Sequence, residues 1–169
     1  MSRLIQRVFL PAFVLGLTVV GCSRQTALAP PKIHYGYETC VDCGMIINDP
    51  HYAAALAWRA NPNGSTQTAV FDDLGCMLNW QRHHANDQVL AAWVKNVRTA
   101  AWLDAPSAIY VKSPPLETPM GWGIVAGANT NDFSSLSGCQ SPLTWAELLK
   151  AGAQKIQPPA LANQASRNH

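Results

Sequence analysis

The first 21 residues constrain the fold most, because they have the pattern of an export signal that is removed from the mature chain. Arg3 and Arg7 precede an apolar run from Val8 to Val20, with no acidic residue before it. The run has 13 residues, which suits the roughly 7–15 apolar residues of a signal peptide and is shorter than the ~20 of a spanning helix. We therefore expect the folded body to lie outside the cytoplasm and to be built from the rest of the chain.

The apolar run ends in Gly21-Cys22, which resembles the bacterial lipobox, where the cysteine becomes the lipidated first residue. Each buried CH₂ group contributes ~0.8 kcal/mol, so several acyl chains would hold the protein durably on a membrane. An uncleaved anchor or a chance apolar run is the alternative. We expect the protein to be lipid-anchored, most simply at the periplasmic face of the outer membrane. The predicted divisions are a signal peptide over 1–21, lipidation at Cys22 with a flexible tether over 22–34, a folded domain over 35–156, and a disordered tail over 157–169.

The composition of the body excludes two broad classes of protein. Charged residues make up 13% of the chain and hydrophobic residues 48%, which argues against extended disorder. Without Arg3 and Arg7, basic and acidic residues balance. No basic surface is available to neutralise phosphates, so nucleic-acid binding has no support.

The pattern of apolar and turn residues predicts an α+β fold with a mainly antiparallel sheet. Two apolar runs, Tyr52–Ala60 and Thr66–Phe71, flank an Asn/Pro/Gly cluster and predict a hairpin. Asp72 or Asp73 can cap a helix that begins at Leu74. Further strands are predicted over Val89–Asn96, Ile109–Lys112 and Gly121–Ala128, and helices over Asn131–Leu136 and Thr144–Lys150. The order strand-strand-helix-strand occurs clearly once and arguably a second time.

Beyond Cys22 the chain has four cysteines, Cys40, Cys43, Cys76 and Cys139. Two disulfides are one interpretation for an even number in an oxidising compartment. A structural zinc site is another, although the spacing has one CxxC and two isolated cysteines. Thiol-disulfide exchange is a third, but it needs the CxxC at a helix start, which the following Gly-Met-Ile-Ile sequence does not predict.

The methionines point to a fourth interpretation, a site for monovalent copper. Met45 and Met77 each follow closely on a cysteine, and Met120 lies in a Pro-Met-Gly-Trp-Gly loop. Thiolate and thioether sulfur are polarisable donors that select Cu(I) over harder ions. Met45 and Met77 also suit a hydrophobic core, whereas packing explains Met120 less easily.

Imidazole and helix-terminal thiolate are the other donors that the sequence offers. His34 and His51 flank the CxxC segment and are the better histidine candidates, whereas His83 and His84 are expected at the surface. Cys76 falls near the third position of the predicted helix. Amide donors and the helix dipole favour a thiolate at this position.

Four segments, in order, resemble the NosL proteins, which are lipoprotein accessory factors for nitrous oxide reductase. The resemblance extends from Cys40 to Leu149 and is consistent with the lipobox. Its segments are Cys40-Val-Asp-Cys-Gly-Met-Ile-Ile, Phe71-Asp-Asp-Leu-Gly-Cys-Met-Leu-Asn-Trp, Trp102-Leu-Asp-Ala-Pro-Ser-Ala-Ile-Tyr-Val and Pro119-Met-Gly-Trp-Gly-Ile-Val-Ala.

The resemblance implies a Cu(I)-binding chaperone that hands copper on without catalysing a reaction. It implies two small ββαβ-type halves, related to the fold of alkylmercury lyase. It also implies two partners, a copper-donating membrane complex and the copper-free reductase. Carried over by position, Cys43 and Met120 are the foremost ligands, with a nearby histidine as a third. The full candidate set is Cys43, Met120, Cys40, Met45, Cys76, His51 and His34.

Two positions depart from the pattern of the family. Cys139 matches none of its motifs. Gly127 stands where an aromatic residue is common, and we expect this difference to affect packing only.

Overall fold

The computed structural model describes residues 28–113 and 116–152. The predicted signal peptide, the lipidation site at Cys22 and the predicted tail lie outside the described residues, as does the tether before residue 28. The predicted boundaries of the folded domain stay predictions. No helix within the described ranges is long and apolar enough to cross a bilayer.

Six strands and two helices make up the regular structure of the described residues. In chain order they are β1 (Ala54–Arg59), β2 (Gln67–Phe71), α1 (Leu74–His83), β3 (Gln88–Lys95), β4 (Trp102–Asp104), β5 (Ile109–Lys112), β6 (Ile124–Gly127) and α2 (Trp145–Ala151). Single 3₁₀ turns cover Ala105–Ser107 and Thr130–Phe133. The predicted α+β class is confirmed, and β5 has the predicted bounds.

The strands form two antiparallel sheets. The larger sheet has the order β2-β1-β3-β4, and the smaller one pairs β5 with β6. The predicted hairpin is confirmed, with Ala54 opposite Phe71. The two sheets meet where Asn96 bridges to Ala126 and the Val97 N–H donates to the Ala126 carbonyl at 2.9 Å. The largest hydrophobic cluster contains buried residues from both sheets.

The ββαβ order is complete in the first half, as β1-β2-α1-β3. In the second half, β5 and β6 are followed by α2, and no strand follows α2 up to Gly152, where the described residues end. The strand predicted from Gly121 begins only at Ile124. Gly121 and Gly123 have φ of +70° and +59°, which is turn rather than strand backbone. The helix predicted over Asn131–Leu136 is a 3₁₀ turn.

Helix α1 buries its first two turns and leaves its end in solvent. Asp73 caps it, as predicted, and its Oδ1 accepts the Gly75 N–H at 2.9 Å. Sequence periodicity places Cys76, Trp80 and His83 on one face, but His83 is exposed while the other two are buried. Residues of α1 are buried according to how close they lie to its N-terminus, because the second half of the chain covers the N-terminal end of the helix.

The small residue at position 127 is required by its neighbours. A Cβ atom on Gly127 would lie 2.7 Å from Cζ of Phe133 and 2.9 Å from Cβ of Asp132. Real Cβ atoms essentially never approach so closely. The difference from the family pattern at this position thus has a local packing reason.

Asp132 holds the junction between the two sheets through a buried carboxylate. It accepts hydrogen bonds from Asn96 Nδ2 at 2.7 Å, from Arg98 Nη2 at 2.7 Å and Nε at 2.9 Å, and from the Ala128 N–H at 2.8 Å. The Arg98 guanidinium, followed by these neutral donors, lowers the pKa of Asp132 to about 2.

We expect Asp132→Ala to lower the free energy of unfolding by about 3 kcal/mol, because buried donors lose their acceptor. Urea unfolding at pH 7 measures this loss, with Asp104→Ala, an exposed carboxylate, as the control. The folded pKa of Asp132 lies below its unfolded value of 3.8. Its contribution is therefore complete above about pH 4 and is lost as the pH falls toward 2. A variant as stable as wild type would contradict this role.

Candidate metal centre

The CxxC segment forms a tight turn between two short paired strands of backbone. Thr39 bridges to Ile46, the Cys40 N–H donates to the Met45 carbonyl at 2.8 Å, and the Gly44 N–H donates to the Cys40 carbonyl at 2.9 Å. Gly44 has a φ of +75°, a left-handed conformation that costs glycine little. The cysteines therefore lie on a structured turn and not at the start of a helix.

Two contacts hold this turn against the first ββαβ unit. The Val41 N–H donates to the Val70 carbonyl of β2 at 3.1 Å. Asn79 of α1 donates from Nδ2 to both oxygens of Asp42, at 2.9 and 3.2 Å. These contacts place the turn beside the buried start of α1, where Cys76 lies.

The arrangement brings three cysteines into one cluster. The Sγ atoms of Cys40, Cys43 and Cys76 all lie within 4.8 Å of one another. Cys40 is 2% exposed and Cys76 is 1% exposed, whereas Cys43 is partly exposed. All three are free thiols. One ion can therefore contact all three sulfurs, and we call this group the thiol triad.

The thiol triad concentrates its negative charge on Cys40. Hydrogen bonding from the Cys76 thiol, together with the backbone N–H groups of Asp72, Cys43 and Asp42, lowers the pKa of Cys40 to about 5 despite burial. The pKa of Cys76 is raised, because it donates to Cys40 and is buried. Burial also raises the pKa of Cys43. Cys40 is therefore the sulfur most readily deprotonated, and a metal that binds the triad would displace protons from the other two thiols.

Trp122 packs directly against the start of α1 beside the triad. A Cβ atom on Gly75 would overlap the Trp122 ring, so only glycine fits at this helical position. The Trp122 side chain also hydrogen bonds to Cys76, which favours the thiolate form of Cys76. Glycine costs a helix about 1 kcal/mol relative to alanine, and here it allows the close approach of the ring.

We expect Gly75→Ala to destabilise the protein by about 3 kcal/mol, because the added methyl group must displace Trp122 from a packed core. Chemical denaturation measures the loss, and near-ultraviolet circular dichroism reports the altered tryptophan packing. A glycine-to-alanine substitution in an exposed helix stabilises the protein. A gain in stability for Gly75→Ala would therefore contradict the contact between Gly75 and Trp122.

Asp73 brings the loop that carries Met120 to the same end of α1. Its Oδ2 accepts the Thr118 hydroxyl at 2.6 Å and the Met120 N–H at 3.1 Å, while its Oδ1 caps the helix at Gly75. Met120 is half-buried and packs against the main core. The structure thus places the Met120 loop and Cys76 at the same helix terminus, as a shared site would require.

The other predicted candidates lie apart from the triad or at its edge. Met45 is 56% exposed, and His34 is exposed. His51 Nδ1 lies 2.9 Å from Oδ1 of Asp49. Within the described residues, no histidine nitrogen or carboxylate oxygen lies within 4.8 Å of all three triad sulfurs. Cys139 is exposed, with its Sγ 3.9 Å from the Leu136 carbonyl.

Sequence reasoning missed two residues that support the site. The sequence predicts Asp73 only as a helix cap, and in the structure it also binds the Met120 loop. Trp122 lies in the fourth motif, but the sequence predicts no role for it. Gly75, in the first turn of α1, is the sequence signal for the Trp122 contact. A glycine inside a helix indicates that another group approaches the backbone closely.

Comparison with solved structures finds the same architecture in a protein from Shewanella denitrificans, described as the copper chaperone NosL. The two chains superpose with a TM-score of 0.53 over 72% of this chain and 99% of the other, at 15% sequence identity. This chain has the NosL fold. The NosL fold and the mainly antiparallel α+β class implied by the four motifs are therefore confirmed, while the second half lacks the last strand of a ββαβ unit within the described residues. No protein-family profile and no curated protein sequence matches the chain.

Proposed function

We propose that the protein is a membrane-anchored copper chaperone that binds Cu(I) at the thiol triad and delivers it for assembly of nitrous oxide reductase. The convergence of three cysteine sulfurs within 4.8 Å is the observation that carries this proposal. The structurally similar NosL protein is itself described as a copper chaperone.

The donor set of the triad favours Cu(I) over zinc. Three thiol sulfurs form a soft site, which suits a polarisable monovalent d¹⁰ ion. A structural zinc site is usually closed by four protein ligands. Among the described residues, no histidine or carboxylate completes the three sulfurs as a fourth ligand. The Met120 thioether, on the loop held by Asp73, is a further soft donor for copper.

A three-sulfur site is also suited to releasing its cargo. A partner's ligand can add to an incomplete coordination shell before a protein ligand leaves, so copper passes through shared intermediates. A closed tetrahedral site offers no such opening. The protein then acts by ligand exchange, and its partner receives the same ion that the triad held.

The structure gives less support to thiol-disulfide exchange. An exchange enzyme needs an accessible thiolate that attacks a substrate disulfide. The thiol with the lowered pKa is Cys40, and it is 2% exposed. Its CxxC is also in a turn and not at a helix N-terminus.

Lipid attachment at Cys22 and delivery to nitrous oxide reductase rest on the sequence motifs. A lipid on Cys22 would hold the triad near the periplasmic face of the outer membrane. A copper-donating membrane complex would supply the ion there, and the copper-free reductase would receive it. The tether between Cys22 and the fold would provide the reach for both encounters.

Anaerobic titration of the reduced mature protein tests the proposal. We expect one equivalent of Cu(I) to be retained against the chelator bathocuproine disulfonate. The loaded protein should then restore activity to copper-free nitrous oxide reductase. Retention of copper without transfer would contradict the delivery role, and failure to retain copper would contradict the site itself.

A further inference from the structure

The thiol triad is open to solvent on one side only. Cys40 and Cys76 are 2% and 1% exposed, so neither sulfur can meet an incoming ligand directly. Cys43 is partly exposed. An ion that exchanges with solvent or with a partner must therefore pass the Cys43 sulfur.

Met45 lies at this opening. Its backbone N–H hydrogen bonds to the Cys43 sulfur, so the two side chains start from adjacent points of one tight turn. The Met45 side chain is 56% exposed, although it is apolar. Methionine has three rotatable side-chain bonds and a polarisable thioether, so it can reach an ion at Cys43.

The neighbouring exposed side chains cannot take this role. Tyr37, Val41 and Ile46 are also exposed on the same segment, but none of them offers a soft donor atom. Met77, the other methionine close in sequence to a triad cysteine, is fully buried in the core. Met45 is thus the only thioether on the exposed part of this turn.

We propose that copper enters and leaves the triad past Cys43, and that Met45 is a transient ligand which holds the ion during exchange without binding it at rest. This proposal rests on the proposed function and assigns the route of the ion. As Cys43 releases copper, the thioether takes its place until an incoming ligand arrives. The ion stays Cu(I) throughout, and the vacated thiolate can take up a proton.

Met45→Leu tests the role of the thioether, because it keeps the size of the side chain and removes the sulfur. We expect the rate of Cu(I) transfer from the reduced, loaded mature protein to bathocuproine disulfonate to fall about tenfold, equivalent to about 1.4 kcal/mol in barrier. The equilibrium affinity for Cu(I) should stay within twofold of wild type. Met77→Leu is the matched control, and its transfer rate should not change.

A wild-type transfer rate in Met45→Leu would overturn the transient role, and an affinity loss beyond twofold would make Met45 a resident ligand instead. Both results leave Cu(I) binding by the triad intact. Limited alkylation of the metal-free Cys139→Ser protein with N-ethylmaleimide tests the route. We expect Cys43 to react before Cys40 and Cys76. The reverse order would overturn the proposal that the triad opens to solvent only at Cys43.

Discussion

Replacing Cys40 by serine is expected to weaken Cu(I) binding by more than about 100-fold. Removing a group that only hydrogen bonds to a metal ligand already lowers metal affinity about 10–100-fold, and Cys40 would contact the ion itself. Cys40 is the triad member with the lowered pKa, so it is the sulfur most readily available as a thiolate ligand. Serine nearly preserves the volume but offers a hard hydroxyl oxygen in place of soft sulfur. Competition with bathocuproine disulfonate under anaerobic conditions measures the affinity.

Cys139→Ser is the matched control for this experiment, because Cys139 is a free cysteine that lies exposed outside the triad. We expect its affinity to equal that of wild type. Cys76→Ser should behave like Cys40→Ser. Circular dichroism of the metal-free variants separates loss of a ligand from loss of the fold. Equal affinities for Cys40→Ser and Cys139→Ser would contradict the triad.

Replacing Asp73 by alanine should have a large effect on stability near the site, a loss of about 3 kcal/mol. The variant loses a helix cap and leaves the Thr118 hydroxyl and the Met120 N–H without their buried acceptor. The Met120 loop would then be free to move from the end of α1. We therefore also expect Cu(I) affinity to fall about tenfold, as it does when a group that orients a metal ligand is removed.

Asp72→Asn is the control for Asp73→Ala, because it alters the adjacent buried carboxylate. Burial, followed by smaller contributions that include the Cys40 charge, raises the pKa of Asp72. Its Oδ1 has no hydrogen-bond partner among the described residues. We expect a change in stability within about 1 kcal/mol. Equal losses for both variants, measured by urea unfolding, would show that Asp73 has no special role.

Local sequence signals were sufficient for most of the secondary structure. The Asn/Pro/Gly cluster defined the hairpin of β1 and β2, and the aspartate pair defined the start of α1. The strand over Ile109–Lys112 had the predicted bounds. The signals were weaker around residues 121–136, where glycines and short polar runs form turns whose geometry depends on tertiary packing.

The meeting of the cysteines could not be predicted from spacing. Cys40 and Cys76 lie far apart in the chain, and they come together because the CxxC turn is held by Val70 and Asn79. No periodic pattern encodes these hydrogen bonds. The sequence motifs rank Cys43 and Met120 first and name Cys40 and Cys76 as further candidates, while the structure brings the sulfurs of Cys40, Cys43 and Cys76 into one cluster.

X-ray absorption at the copper K-edge, on the reduced mature protein loaded with one equivalent of copper, tests the central claim most directly. We predict a Cu(I) edge and a coordination shell of at least three sulfur atoms, with one sulfur fewer in Cys40→Ser. A shell made mainly of nitrogen or oxygen, or one that Cys40→Ser leaves unchanged, would contradict copper binding by Cys40, Cys43 and Cys76.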